Sequence, residues 1–450
     1  MFGYHRNCHP LPEFEFFRPD RKANMISRRT FLETTAAGVT LTALNRRVLA
    51  AQSPNNQIVV GMIGVGGMGT ARLKQFLKHQ DVRISAVCDV DRSHLDRTVA
   101  EVETSGRPKP KTFGDYRRLL DVKEIDAVVV VTPDHWHAIP TVHAFKAEKD
   151  VFVEKPLSYS VAEGRAMADA SLQYKRVSQM GNHIHNDLPN YRRVVELVQS
   201  GKLGKITQVH CWKTSPTPSS RRGPATCPPE LDYDFWLGPA PKRPYHPLRS
   251  HYTFRQFWDY SGGTFIDFWC HIVDVAVWAL DLKEPRSMSA VGGRFFLTDE
   301  TEAPDSVEAT VEYPNLVFLF SLRPTPLPGF EHMGAIGCLF EGTEASLVTS
   351  YDKHEVWVRG KRADDFPRPD RSIPDSPGHV REFIDAVKTR NLETTCNLRY
   401  GHRVTKLGLL CNIAYRTGSR ITWDDEKERI VGNDQASAYL SRDFRKPWTL

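Results

Sequence analysis

Two groups of residues in this 450-residue chain have the types and spacing that chemistry requires. The first is Gly64-Val65-Gly66-Gly67-Met68-Gly69. Gly64 permits a tight turn, Gly66 lets the backbone approach a pyrophosphate, and Gly69 lets a helix pack closely on a strand. Twenty residues beyond Gly69 stands Asp89. A carboxylate there accepts from ribose hydroxyls and repels a 2′-phosphate, so the expected cofactor is NAD, with NADP possible. Asp91 is a competing acid. The second group is Asp267 and His271, which share a face if their segment is helical. A histidine beside a carboxylate is oriented and made more basic, as a general base requires. The same pair serves equally well as a structural hydrogen bond. His183 and His185 alternate as on a strand and could point into a cleft together. No third ligand with suitable spacing stands near them, so no metal site is expected.

These residues need elements to position them. Residues 57–63 and 82–88 read as buried strands, with a helical pattern over 71–77 between them. Residues 125–131 form a continuous apolar run, as a doubly covered parallel strand should. That run ends in Thr132-Pro133, followed by His137 and a helix to about Glu148. Strand 151–153 then leads into Glu154-Lys155-Pro156. Ligands of such folds bind beyond the carboxyl ends of the strands, where both polar motifs fall. After Val177 the pattern changes. A helix over 191–199 and a strand over 206–212 precede an irregular stretch, 214–250, rich in proline, arginine and aromatics. Runs 307–313 and 316–322 flank a Pro314-Asn315 turn and read as a hairpin. Further strands near 334–340, 345–348 and 355–358, and helices at 380–387 and 404–414, complete the pattern. The fold class is α/β: a Rossmann domain over 55–175, then an α+β substrate and oligomerisation domain over 176–450 with an open, largely antiparallel sheet.

Ser27-Arg28-Arg29-Thr30-Phe31-Leu32 has the form of a twin-arginine leader, with a mildly apolar run over 36–44 too short to span a membrane. Val48-Leu49-Ala50 before Ala51 offers a small-residue cleavage site, and Met25 is an alternative start. The expected signal region is 1–50, and the expected location is periplasmic or otherwise exported, or cytoplasmic if the leader is unused. Residues 1–50 carry +4 of the chain's +6 net charge. The remainder is near neutral, which argues against nucleic acid as a partner. Eight cysteines include no C-x-x-C pair. Cys88, Cys270 and Cys411 lie in apolar stretches and are expected to be buried free thiols.

Gly64-x-Gly66-x-x-Gly69, Thr132-Pro133, Glu154-Lys155-Pro156 and Gly262-Gly263 through Asp267-x-x-x-His271 together resemble the glucose–fructose oxidoreductase/inositol dehydrogenase/rhizopine catabolism (Gfo/Idh/MocA) family. The resemblance implies an NAD(P)-dependent oxidoreductase acting on CH–OH groups of a sugar or polyol, and a homo-oligomer. It implies that Lys155 sits between nicotinamide and substrate and that His271 is the general base. Asp267 would orient His271 or bind a sugar hydroxyl. Gly64, Gly66, Gly67, Met68, Gly69, Asp89, Thr132, Pro133, His137, Glu154 and Lys155 would hold the cofactor. Related chains usually have glycine where Trp269 stands here, so a ring could narrow the pocket or pack behind it. Export would require the cofactor to stay bound and be regenerated in place. Two schemes meet that need: oxidation coupled to a second carbonyl substrate, or redox-assisted cleavage of a glycoside with no net redox change. A non-catalytic NAD-holding scaffold is the remaining alternative.

Overall fold

The computed structural model describes residues 57–214 and 223–450. The twin-arginine stretch, the apolar run after it and the cleavage site lie outside the described residues. The first sheet has six strands: β1 (Ile58–Ile63), β2 (Val82–Cys88), β3 (Lys111–Phe113), β4 (Ala127–Val130), β5 (Asp150–Val153) and β6 (Ser178–Met180). All pairs are parallel, in the order β3-β2-β1-β4-β5-β6. Every residue of β1, β4 and β5 is buried. Helices cover both faces, so the strands are apolar throughout except for Asp150 at the start of β5. Strand order reverses between β1 and β4, which opens a crevice beyond their carboxyl ends. The three-residue strands β3 and β6 are too short to leave a periodic signal. β6 carries this sheet past residue 175, the boundary expected from the change in pattern.

The second sheet contains β7 (Ile206–Thr214), β8 (Ser287–Gly293), β9 (Ser306–Tyr313), β10 (Leu316–Arg323), β11 (Ile336–Gly342), β12 (Ser346–Thr349), β13 (His354–Val358), β14 (Lys361–Arg362), β15 (Ile421–Asp424) and β16 (Arg429–Ile430). It is mixed but largely antiparallel, β7 and β10 forming a parallel pair within it. The hairpin β9–β10 turns at Pro314-Asn315, as its sequence requires. Helix Gly263–Leu280 lies on this sheet. Its Phe265 and Trp269 rings pack on Phe320 of β10 at 5.3 and 5.0 Å between centroids. By length and composition it could cross a membrane, but 78% of it is buried in the fold. Its apolar surface is spent on the protein core.

Helix His379–Thr389 falls in the sequence range assigned to the second domain, yet it covers the first sheet. Phe383 stands edge-on to Phe76 and Phe152, at 6.4 and 5.7 Å. Arg381 and Lys388 both bind Asp81, at 2.9 and 2.5 Å. The chain therefore returns to finish the nucleotide-binding half, which periodicity alone cannot reveal. Seven cysteines among the described residues are free thiols, and Cys88, Cys270 and Cys411 are buried as expected. Phe383→Ala should destabilise the protein by about 3–5 kcal/mol, the usual cost of removing a fully buried phenylalanine. Chemical denaturation checks this, and NAD affinity should weaken with it because the same core supports β1 and β5.

Candidate active site

The crevice is a cleft of about 460 Å³. Its floor is the glycine turn. Gly64 has φ +85°, and a Cβ there would lie 2.5 Å from the Val131 carbonyl oxygen. A Cβ on Gly69 would lie 2.2 Å from the Gly64 carbonyl oxygen. Only glycine fits either place. Gly66 caps helix Gly67–Leu77 with no side-chain bond, and no acid stands in the first turn. A Cβ on Gly67 would meet nothing within 4 Å. The helix thus presents unpaired N–H groups to open space, the arrangement that receives a pyrophosphate. Gly64, Gly66, Gly67, Met68 and Gly69 all line the cleft.

Asp89 lies against this turn. Its Oδ2 accepts from the Val65 N–H at 2.8 Å and its Oδ1 from the Asp91 N–H at 2.9 Å. Asp91 instead caps helix Arg92–Thr104 through the Ser93 N–H and bonds His251 at 2.9 Å. Of the two acids, Asp89 is the one on the cleft wall. His94, unremarked in the sequence, stands 3.4 Å from Asp89 Oδ2. Burial opposes its protonation, but Asp89 and Asp91 outweigh burial and raise its pKa. Asp91, His94 and His251 bring ligand-type atoms within 4.8 Å of one another. Spacing could not show that cluster, because Asp91 and His251 are 160 residues apart.

Thr132 and Pro133 line the cleft, and the Thr132 hydroxyl is buried without a partner. His137 does not line it. It is 1% exposed, with Nδ1 2.8 Å from the Pro156 carbonyl and Nε2 2.9 Å from that of Thr132. Its role is to brace one strand-end loop against the next, not to touch a cofactor. Glu154 reaches the cleft wall, but its carboxylate is engaged by the buried Arg72 guanidinium and by the Lys155 N–H at 3.2 Å.

Lys155 Nζ donates to Asp267 Oδ1 at 2.6 Å and to the Asp267 carbonyl at 2.9 Å. Arg255 Nε lies 3.2 Å from the same carboxylate oxygen. Burial penalises the Asp267 carboxylate, but Lys155 and then Arg255 hold its pKa well below the usual range. Asp267 therefore does not hydrogen-bond His271, contrary to one of the sequence expectations; it anchors the lysine and acts on the histidine only through its charge. His271 Nδ1 is buried with no partner. Burial, then the Lys155 ammonium and His183, hold the imidazole pKa well below the ordinary histidine value, and Asp267 offsets this only in part. The His271 imidazole is therefore neutral at neutral pH.

His183 and His185 separate. Ile184–Asp187 is a helical turn, so the alternation expected of a strand fails. The His183 ring faces His271 at 5.8 Å between centroids. His185 turns into the core, 3.2 Å from Asp274 and stacked 4.0 Å from Trp278. Trp269 is buried behind the site, its Nε1 donating to the Val404 carbonyl at 3.0 Å, so it does not narrow the pocket. Trp212 is likewise core. Tyr252 and Arg255, just beyond the irregular stretch, form cleft wall.

Residues 58–182 match a model of an oxidoreductase family with an NAD-binding Rossmann fold, and residues 190–291 and 361–450 match that family's C-terminal alpha/beta domain. The chain belongs to the Gfo/Idh/MocA oxidoreductase family. It carries this family's NAD-binding fold. It is 29% identical over 194 residues to a glycosyl hydrolase family 109 protein of a Shewanella species (strain MR-4) and, over the same length, to an alpha-N-acetylgalactosaminidase of Shewanella oneidensis. Each alignment covers 41% of this chain and 41% of the relative, so the match spans about two fifths of their length. The fold is similar to that of the WlbA dehydrogenase of Bordetella pertussis, solved with NADH and UDP-GlcNAcA (17% identity, TM-score 0.61, covering 82% of this chain and 99% of the other). It is similar also to an aldose-aldose oxidoreductase of Caulobacter crescentus (17% identity, TM-score 0.59, covering 81% and 99%).

Two outcomes follow from the geometry. Asp89→Ala should narrow the NAD-over-NADP preference, measured as the ratio of dissociation constants; an unchanged ratio would move the selectivity to another group. The acid limb of kcat/KM should fall below pH 6.5, the ordinary histidine value. A base whose pKa is depressed stays unprotonated to lower pH, and an acid limb at or above 6.5 would remove His271 from that role.

Proposed function

We propose that this protein oxidises a secondary alcohol of a sugar-based substrate, with Lys155 and His271 at the reacting carbon and an NAD that stays bound between turnovers. The observation that carries this reading is the Lys155 amine, fixed by Asp267 at 2.6 Å where the cofactor cleft ends, with a neutral His271, its Nδ1 without a hydrogen-bond partner, one helical turn beyond Asp267. The bound nicotinamide supplies the hydride acceptor and can return the hydride. The chain's own groups do the rest. The Lys155 ammonium donates to the substrate oxygen and stabilises the negative charge that builds on it. His271, its Nδ1 shut off from water, takes the hydroxyl proton at Nε2. Tyr252 and Arg255 cover the cleft, which favours retention of the cofactor.

A second reading has specific support. The relatives named as glycosidases and the second neutral imidazole, His183, favour transient oxidation in the course of glycoside cleavage, with no net redox change. We propose that export through the twin-arginine route, read from Arg28-Arg29, is the setting in which a resident, self-regenerating cofactor is required. Lys155→Ala and His271→Ala should each lower turnover by about 10²–10⁴-fold while leaving NAD bound. Denaturing the purified variants and identifying released nucleotide by absorbance and mass checks the second half. Normal turnover in either variant would overturn the assignment.

A further inference from the structure

We propose that His183 is a second base, which removes a proton from carbon next to the carbonyl that Lys155 and His271 help to create. This rests on the glycoside-cleavage reading and adds a residue that neither the family's motifs nor the spacing of the sequence assigns.

The argument is geometric. His183 and His271 come from different elements, the turn after β6 and helix Gly263–Leu280, and their rings meet edge to face at 5.8 Å. That contact sets the two imidazoles side by side, so that both can face one substrate ring held at Lys155. His183 remains accessible, with 28% of its side chain exposed, whereas His185 and His379, near in sequence or space, are sealed in the core. The groups that face His183 are Asp187 on its own turn, Arg72 on helix Gly67–Leu77, Glu154 and Lys155 after β5, and His271. Its closest carboxylate, Asp187, is 3.7 Å away, and the other Asp187 oxygen accepts from the His379 N–H at 2.9 Å. Among the described residues no hydrogen bond fixes its ring in a purely structural role. Burial first, then Arg72 and Lys155, lower its pKa, so it is ready to accept a proton at neutral pH.

A simple alcohol dehydrogenase needs one proton acceptor, since only the O–H proton leaves. Cleavage through a ketone needs two. With a carbonyl at C3 of a glycoside, the C2–H proton is acidified, and His183 accepts it. The electron pair left at C2 forms the C1=C2 double bond while the C1–O glycosidic bond breaks. The departing alkoxide takes a proton from solvent. Water then adds at C1 and gives up one proton to solvent, the proton on His183 returns to C2, and reduction of the carbonyl, its oxygen taking back the proton from His271, restores the alcohol. Two electrons leave as hydride and two return.

The test uses the full chain with NAD bound, a 4-nitrophenyl glycoside that it turns over, and the 3-keto form of that glycoside. Elimination from the keto form needs no hydride transfer, so it isolates the step assigned to His183. In His183→Asn, 4-nitrophenol release from the keto form and deuterium incorporation at C2 from D₂O should fall by about 10²–10⁴-fold. NADH formation on mixing with the unoxidised glycoside should stay within a few-fold of the parent, and free imidazole should restore part of the release in His183→Ala. Unchanged release, or equal losses of release and NADH formation, would overturn the proposal. If the parent enzyme forms the ketone but never releases 4-nitrophenol from it, glycoside cleavage and this proposal fall together, while the alcohol oxidation stands.

Discussion

The ion pair between Lys155 and Asp267 joins the two halves of this protein and sets its chemistry at once. Lys155 follows the fifth strand of the nucleotide-binding sheet, and Asp267 sits in the first turns of a helix that belongs to the second. They are 112 residues apart in sequence and nearly shut off from water. Neither could be left alone there, since an uncompensated buried charge costs several kcal/mol. The charge that docks one half onto the other is therefore the same charge that would meet a developing alkoxide. Arg255 on the same carboxylate extends the arrangement to the segment that walls the cleft.

Helix Gly263–Leu280 converts this docking into a site. One face carries Phe265 and Trp269 into the sheet, where their rings fix its rotation. The periodicity of 3.6 then leaves Asp267 and His271 together on the opposite side. Trp269 is thus a positioning residue of the scaffold, and its bulk has no direct consequence for substrate. A cationic lysine beside two imidazoles also explains their state: each proton that a histidine might bind is opposed by burial and by Lys155. A single fixed charge thus keeps both imidazoles neutral beside a cationic amine.

Much of this was legible in the chain. The glycine turn, Asp89, both strand-end motifs and the hairpin β9–β10 are local signals, and the structure places them as their patterns require. What failed to show were contacts between distant segments. Arg72 reaching Glu154, His251 reaching Asp91, and helix His379–Thr389 returning to cover the first sheet have no periodic or motif signature. His137 and the pair His183–His185 failed for a different reason. Their neighbours suggest a cleft-facing loop and a strand, but tertiary hydrogen bonds at Thr132 and Pro156, and a short helical turn over Ile184–Asp187, decide otherwise.

The wall of the cleft opposite the glycine turn comes from residues 223–260, and this bears on how a cofactor would leave. Asp91 and Leu231 form a bridge across the cleft edge, flanked by the Arg92 N–H on the Glu230 carbonyl at 3.0 Å and the Asp232 N–H on the Val90 carbonyl at 2.9 Å. These bonds tie the wall to the helix that Asp91 caps, immediately beyond Asp89. Opening the cleft at that edge would break both of these backbone hydrogen bonds and expose the cluster of Leu231, Trp236, Leu237 and Tyr260. A nucleotide seated there would face a barrier to release that an open Rossmann crevice does not impose. The cofactor retention proposed above would then follow from how the second half of the chain is laid over the first, with no need for unusually strong contacts to the nucleotide itself.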